Sequence, residues 1–144
     1  MKPRKYQADP MAMFKAINKV RPFDSEEQMR LNLPVRIAFE SIKTGKGDDV
    51  DFHTLAAAVN TAMFCAEKID PVAENAAIRA RDAMTRTYIR HQKLGVWGFD
   101  GQALQDVPVA IDLHEQLIEW YTPLQLQEAA NEVIRRMDTG QVTV

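Results

Sequence analysis

The most regular hydrophobic pattern in the chain lies between residues 51 and 69. Its apolar side chains recur at intervals of three and four: Phe52, Leu55, Ala56, Val59, Met63 and Ala66. This spacing places them on one face of an α-helix. No segment has a convincing strand pattern, since residues 141–144 are β-prone but too short to form a sheet alone. We therefore predict an all-α protein.

Residues that favour helix ends divide the chain into segments. Three times, a side chain that can cap a helix is followed by proline: Asp9-Pro10, Asp70-Pro71 and Thr122-Pro123. Such pairs are typical of helix starts. Three glycines are placed where a helix would end: Gly45, Gly95 and Gly140. Glycine favours that position because it adopts the left-handed conformation without strain.

These boundaries predict five main helices and one short N-terminal helix. We expect the short helix over residues 10–19 and the main helices over residues 24–44, 51–69, 71–94, 102–121 and 123–137. Pro34 interrupts the first main helix, so we expect either a kink or two pieces there. Short connections favour a compact bundle. The chain 1–144 is predicted to be one domain with a basic N-terminal arm over about residues 1–8.

Composition and charge are those of an ordinary globular protein. The 144 residues are 46% hydrophobic and 26% charged, with a formal net charge of −2. These values exclude a disordered chain and a bulk polycation. The single cysteine allows no intrachain disulfide and fits a reducing compartment. Because no apolar run is long enough for a signal peptide or a bilayer span, we expect a cytoplasmic protein without membrane contact.

The sequence contains no group of residues typical of an enzyme or a metal site. His53, His91 and His114 lack metal-binding spacing, and Cys65 is expected to be a buried, inert thiol. The stretch 45–51 matches neither a phosphate-binding loop nor a calcium loop. No nucleophile elbow or dinucleotide fingerprint occurs. We therefore predict no catalytic residue, no metal and no cofactor.

The strongest candidate for a binding surface is a line of basic residues on the third main helix. Four residues fall within an arc of about 60° on that helix: Arg79, Arg86, Arg90 and Lys93. One hypothesis is that they bind an acidic partner or contact successive phosphates of a nucleic acid. The other is that they pair inside the bundle with acids of the fourth main helix. Three acids there have a suitable spacing: Asp112, Glu115 and Glu119.

Two large aromatic residues stand between glycines in the loop at 97–101. If exposed, Trp97 and Phe99 would be anchors for a partner, because such side chains are frequent hot spots. The competing interpretation is that they close the core between the third and fourth main helices, with Asp100 capping the fourth. We include Trp97 and Phe99 among the partner-binding candidates, after the four basic residues.

The N-terminal arm supports an alternative role in nucleic-acid binding. Lys2, Arg4 and Lys5 can contact phosphates together with Arg86 and Arg90, provided that the arm and the helix share one positive face. The competing interpretation is a basic terminus that only keeps the chain soluble.

The short helix predicted over residues 10–19 has an apolar face that needs a covering surface. Four residues form this face: Met11, Met13, Phe14 and Ile17. It can dock on its own bundle or on a second copy of the chain, so a homodimer is a further hypothesis.

Several short segments follow one another in a recognisable order: KPRKY at residues 2–6, LPVRIAFE at 33–40, WGFDG at 97–101 and IRRM at 134–137. Together they resemble a group of small prophage- and plasmid-encoded proteins of proteobacteria. Most proteins of this group have no assigned activity, so the resemblance implies no catalytic residue. It implies an accessory protein that binds a host or phage macromolecule, components of defence systems included.

Some members of that group are labelled Fis-type regulators, which implies DNA binding through a C-terminal helix-turn-helix. This chain departs from that pattern, because Arg135 and Arg136 lie among acidic residues and no glycine-bearing turn precedes a basic helix. We therefore predict a non-catalytic protein that binds a partner through a helical face, and a protein partner rather than a nucleic acid. A DNA-binding transcriptional regulator is the alternative.

Overall fold

The computed structural model describes residues 20–139, which form a bundle of helices. Five helices follow one another along this part of the chain: α1 (Ser25–Lys43), α2 (Asp49–Ala66), α3 (Pro71–Leu94), α4 (Ala103–Trp120) and α5 (Pro123–Asp138). The predicted all-α bundle with five main helices is confirmed. The short helix predicted over 10–19, the arm over 1–8 and Gly140 lie outside the described residues. None of the described helices has both the length and the apolar character needed to cross a membrane.

Four of the five described helices begin directly after a capping side chain. Asp24 accepts a hydrogen bond from the backbone N–H of Glu27 at 2.8 Å, and the Glu27 carboxylate accepts one from the backbone N–H of Asp24 at 3.1 Å. The same reciprocal arrangement precedes α2 and α5. Asp70 caps α3, whose first residue is Pro71. Each cap satisfies a backbone donor that has no partner within the helix and typically contributes about 1 kcal/mol.

The predicted helix ends are accurate where glycine marks them. Gly45 and Gly95 have φ angles of 77° and 73°, the left-handed conformation expected directly after a helix. The second main helix was predicted over 51–69, but α2 begins earlier, because Asp48 caps it, and ends earlier, at Ala66. Pro34 lies inside α1, which is one continuous helix rather than two pieces.

The core of the bundle is built around α2, which contacts each of the other four helices. Six of the largest fully buried side chains come from α1, α2 and α4: Ile42, Phe52, Leu55, Ile111, Leu117 and Ile118. Full burial of a side chain of this size contributes about 1.5–3 kcal/mol to the free energy of folding. Helices α3 and α4 also pack closely on each other. Their outer surfaces therefore form one continuous side of the molecule.

Candidate functional site

The basic face of α3, consisting of Arg79, Arg86, Arg90 and Lys93, is exposed along its whole length. Helix α3 turns a different side to the core, where small residues allow close packing. Its buried side chains are Ala77, Ala80, Ala83, Met84 and Thr87. The prediction that these four cations share one side of a helix is consistent with this division of α3 into a buried and an exposed side.

The acids of α4 do not pair with the basic face. Arg36 of α1 donates from Nε to Glu115 at 2.7 Å, and its terminal nitrogen donates to Asp112 at 2.7 Å. These carboxylates hold the pKa of Arg36 above its ordinary value, chiefly through the hydrogen bond to Glu115. Glu119 is exposed and has no ion pair among the described residues. The hypothesis that Asp112, Glu115 and Glu119 pair with the basic face is therefore wrong.

Arg86 is the one member of the basic face with an ion pair in the described part of the chain. Its Nε donates to Asp100 at 2.9 Å, and Asp100 also accepts a hydrogen bond from the backbone N–H of Ala103 at 2.7 Å. These two hydrogen bonds hold the pKa of Asp100 below its ordinary value. The capping role predicted for Asp100 is confirmed. Arg86 thus ties α3 to the start of α4.

The other three cations of the basic face have no such contact. Within residues 20–139, Arg79, Arg90 and Lys93 make no ion pair and no hydrogen bond from their side chains. Exposed apolar side chains stand near them at the end of α3 and in the following loop: Ile89, Leu94 and Val96. The surface therefore combines unpaired positive charge with apolar area.

Trp97 is not an exposed anchor. Its side chain is only 6% exposed and lies between two other rings, with Phe52 at 4.4 Å and His91 at 3.7 Å between ring centroids. The indole N–H donates to the Asp49 carboxylate at 2.9 Å. The prediction that Trp97 binds a partner is therefore wrong, because a ring enclosed on both faces offers little surface to a partner.

Phe99 is also used within the fold. It packs on the core and stacks against Phe39 of α1, with ring centroids 5.2 Å apart. The interpretation that the loop aromatics close the core is therefore the correct one for both residues. Sequence reasoning missed the partners Phe52, His91 and Asp49, because their positions relative to Trp97 depend on how α2 and α3 pack.

An open groove lies between the first half of α3 and the middle of α4. Its apolar lining includes Val72 and Ala76 from α3 and Val109 and Leu113 from α4, and its volume is about 530 Å³. Val72 is 78% exposed and Val109 is 48% exposed. No pattern along the chain indicates this groove, because its two walls lie more than thirty residues apart in sequence.

The remaining candidate residues form no chemical centre. No group of three or more histidine, cysteine, aspartate or glutamate residues suited to a metal ion occurs among residues 20–139. Cys65 is buried as predicted, and burial raises the pKa of its thiol. His114 is 7% exposed, and burial lowers its pKa to about 4. Lys2, Arg4 and Lys5 lie outside the described residues. The structure therefore does not describe where they lie relative to Arg86 and Arg90.

Comparison of the chain with models of protein families, with curated proteins and with solved structures found no match.

Proposed function

We propose that this chain is a non-catalytic accessory protein of a mobile element that acts in the cytoplasm by binding an acidic partner protein. One observation supports the binding role above all others. Asp112 and Glu115, two of the acids that could have neutralised the basic face, are bound to Arg36, and Arg79, Arg90 and Lys93 are exposed without an ion pair in the described part of the chain. The origin in a mobile element rests on the resemblance to prophage- and plasmid-encoded proteins.

A protein partner is favoured over DNA by the composition of the surface. Ile89, Leu94 and Val96 place exposed apolar area near the cations, which is typical of protein interfaces. A protein that follows the DNA backbone has a stronger basic excess than this chain, whose net charge is −2. The regulator hypothesis would use Arg86 and Arg90 with the arm, and of these two residues Arg86 is already engaged by Asp100.

The C-terminal arginines also offer little support to a Fis-type mode of DNA binding. Arg136 donates to both oxygens of Glu67, at 2.6 Å and 3.0 Å, and Arg135 donates to Glu132 at 2.9 Å. Guanidinium groups held in this way have their positive charge compensated. A recognition helix instead presents such groups to bases and phosphates.

Affinity capture from a proteobacterial lysate tests the proposal. The wild-type protein is compared with Arg90→Glu/Lys93→Glu and with the control Lys43→Glu/Lys46→Glu, which reverses two exposed cations that do not belong to the basic face. We expect the wild type and the control to enrich the same protein and the basic-face variant to lose it. Capture of the same protein by all three would refute the proposed function.

Titration with a labelled DNA duplex separates the protein-binding proposal from the regulator alternative. We expect no binding of the wild-type protein at moderate salt and at most weak binding at low salt. Tight binding that falls steeply with salt would show phosphate contacts and would favour the regulator.

A further inference from the structure

The basic face continues directly into the apolar groove beside Val72 and Val109. On α3, Val72 precedes Arg79 by seven residues, about two helical turns, so the two side chains differ by only about 20° around the axis. Val72 therefore stands at one end of a line that runs through Arg79 and Arg90 to Lys93. At 1.5 Å per residue this line is about 31 Å long. The surface along this line is elongated, with an apolar end at Val72 and a basic part from Arg79 to Lys93.

The apolar end of this surface is formed by two helices. Val72 and Ala76 of α3 face Val109 and Leu113 of α4 across the groove. A partner that fills the groove removes their apolar area from water, which is favourable in proportion to the area covered. A groove between two packed helices can accept the side chains of a third helix by ordinary helix packing.

The positions of the cations indicate the shape of the partner. Arg79, Arg90 and Lys93 are separated by eleven and three residues, so all three lie within about 60° of one another around the axis of α3. Carboxylates on a second helix have the same rise and repeat, so a row of them can meet all three cations at once. An extended segment has a different rise and repeat, so its carboxylates would not match the spacing of the three cations.

We propose that the partner binds through an acidic amphipathic α-helix that lies along α3. Apolar side chains at one end of this helix enter the groove beside Val72 and Val109, and carboxylates along the rest contact Arg79, Arg90 and Lys93. This inference rests on the proposed function and specifies the kind of segment recognised. The pairing of opposite charges fixes the register, and the groove supplies the apolar anchor.

A synthetic helix tests the inference without knowledge of the natural partner. The probe is a fluorescent peptide of about 22 residues, with leucines one turn apart at one end and glutamates on the same face along the remainder. A second peptide has serine in place of the leucines. Fluorescence anisotropy at moderate salt gives the affinity of each peptide for the folded protein. We expect the leucine peptide to bind about tenfold more tightly than the serine peptide.

Two sets of variants separate the groove from the basic face. Val72→Ser/Val109→Ser changes exposed side chains of the groove, and Val50→Ser changes an exposed valine at the start of α2 as the matched control. We expect the groove variant to bind the leucine peptide about tenfold more weakly and the control to bind it like the wild type. Circular dichroism and thermal melting of each variant verify that the fold is unchanged.

The outcomes distinguish the inference from the proposed function. If the groove variant binds like the wild type while Arg90→Glu/Lys93→Glu loses binding, the acidic-helix inference is overturned and the basic face keeps its role. If Arg90→Glu/Lys93→Glu binds the leucine peptide like the wild type, the inference is overturned as well, because the glutamates of the peptide then do not contact these cations. Failure of both peptides to bind overturns the inference alone, since capture from a lysate tests the function separately.

Discussion

Arg36 and Glu115 form a two-point contact between α1 and α4, with nitrogen–oxygen distances of 2.7 Å and 3.0 Å. Asp112 accepts a further hydrogen bond from the same guanidinium. This geometry gives an arginine pair more specificity than a single point contact, because two parallel hydrogen bonds fix its orientation. Its consequence lies elsewhere in the molecule, since Asp112 and Glu115 are engaged by α1 and form no ion pair with α3.

Removal of this contact is expected to lower stability modestly. The side chains of Arg36 and Asp112 are well exposed and that of Glu115 is about one-third exposed, so solvent weakens the attraction. We expect Arg36→Ala and Glu115→Ala each to reduce the free energy of unfolding by about 1 kcal/mol, with a coupling of about 0.5 kcal/mol in the double variant. Urea unfolding measures all three values. A coupling free energy of zero would show that Arg36 and Glu115 do not stabilise each other in solution.

The stack around Trp97 is expected to contribute far more. Trp97→Ala removes a buried ring between Phe52 and His91 and should cost about 3–5 kcal/mol. Trp97→Phe keeps a ring but leaves the Asp49 carboxylate without its indole donor, and should cost about 1 kcal/mol for that hydrogen bond alone.

Trp120 provides the matched control for these variants, because its side chain is 60% exposed. Trp120→Phe should change the free energy of unfolding by less than about 0.5 kcal/mol. Equal losses at Trp97 and Trp120 would contradict the buried position of Trp97.

Local signals in the sequence were sufficient for the helices but not for the pairing of side chains. Asp70, Thr122 and Gly95 act on their own or the next helical turn, so their roles follow from neighbours in sequence. The contacts of Arg36 with α4 and of Trp97 with α2 join residues that are far apart along the chain. Such contacts depend on which helix faces which, and periodicity within one helix does not determine that.

The same distinction explains the two interpretations of the basic face. The spacing of Arg79, Arg90 and Lys93 correctly placed them on one side of α3, and the spacing of the α4 acids correctly placed two of them on one side of α4. Spacing alone could not show that this acidic side faces α1. The decisive residue, Arg36, was not singled out by any motif.

Stability is expected to fall in mildly acidic solution because of His114. Burial lowers the pKa of His114 to about 4, against an ordinary value of 6.5, and its Nδ1 has no hydrogen-bond partner within the described residues. As the pH falls from about 6.5 to 4, the unfolded chain binds a proton at this residue and the folded protein does not. The free energy of unfolding should therefore decrease by about 3 kcal/mol over this interval.

Urea unfolding at a series of pH values measures this dependence. His114→Leu should remove most of the decrease between pH 6.5 and 4, because no titrating group remains at that position. His53→Leu, at an exposed histidine, serves as the control and should leave the slope unchanged. A His114→Leu variant with the wild-type slope would contradict the assignment.

Cys65 should react slowly with thiol reagents in the folded protein. Its side chain is fully buried, and burial also raises the pKa of the thiol, so both access and thiolate formation are reduced. We expect labelling by iodoacetamide to be at least about a hundredfold faster in concentrated urea than in native buffer. Similar rates in the two solutions would contradict the packing of α2 against α5.

The central claim is that Arg79, Arg90 and Lys93 of the basic face are available to a partner because these three cations do not stabilise the fold. The most direct measurement is the free energy of unfolding of Arg79→Ala/Arg90→Ala, from urea titration beside the wild type. We predict a change of less than about 0.5 kcal/mol, as for exposed residues without internal partners. A loss of more than about 2 kcal/mol would show that these cations hold the bundle together and would contradict the account.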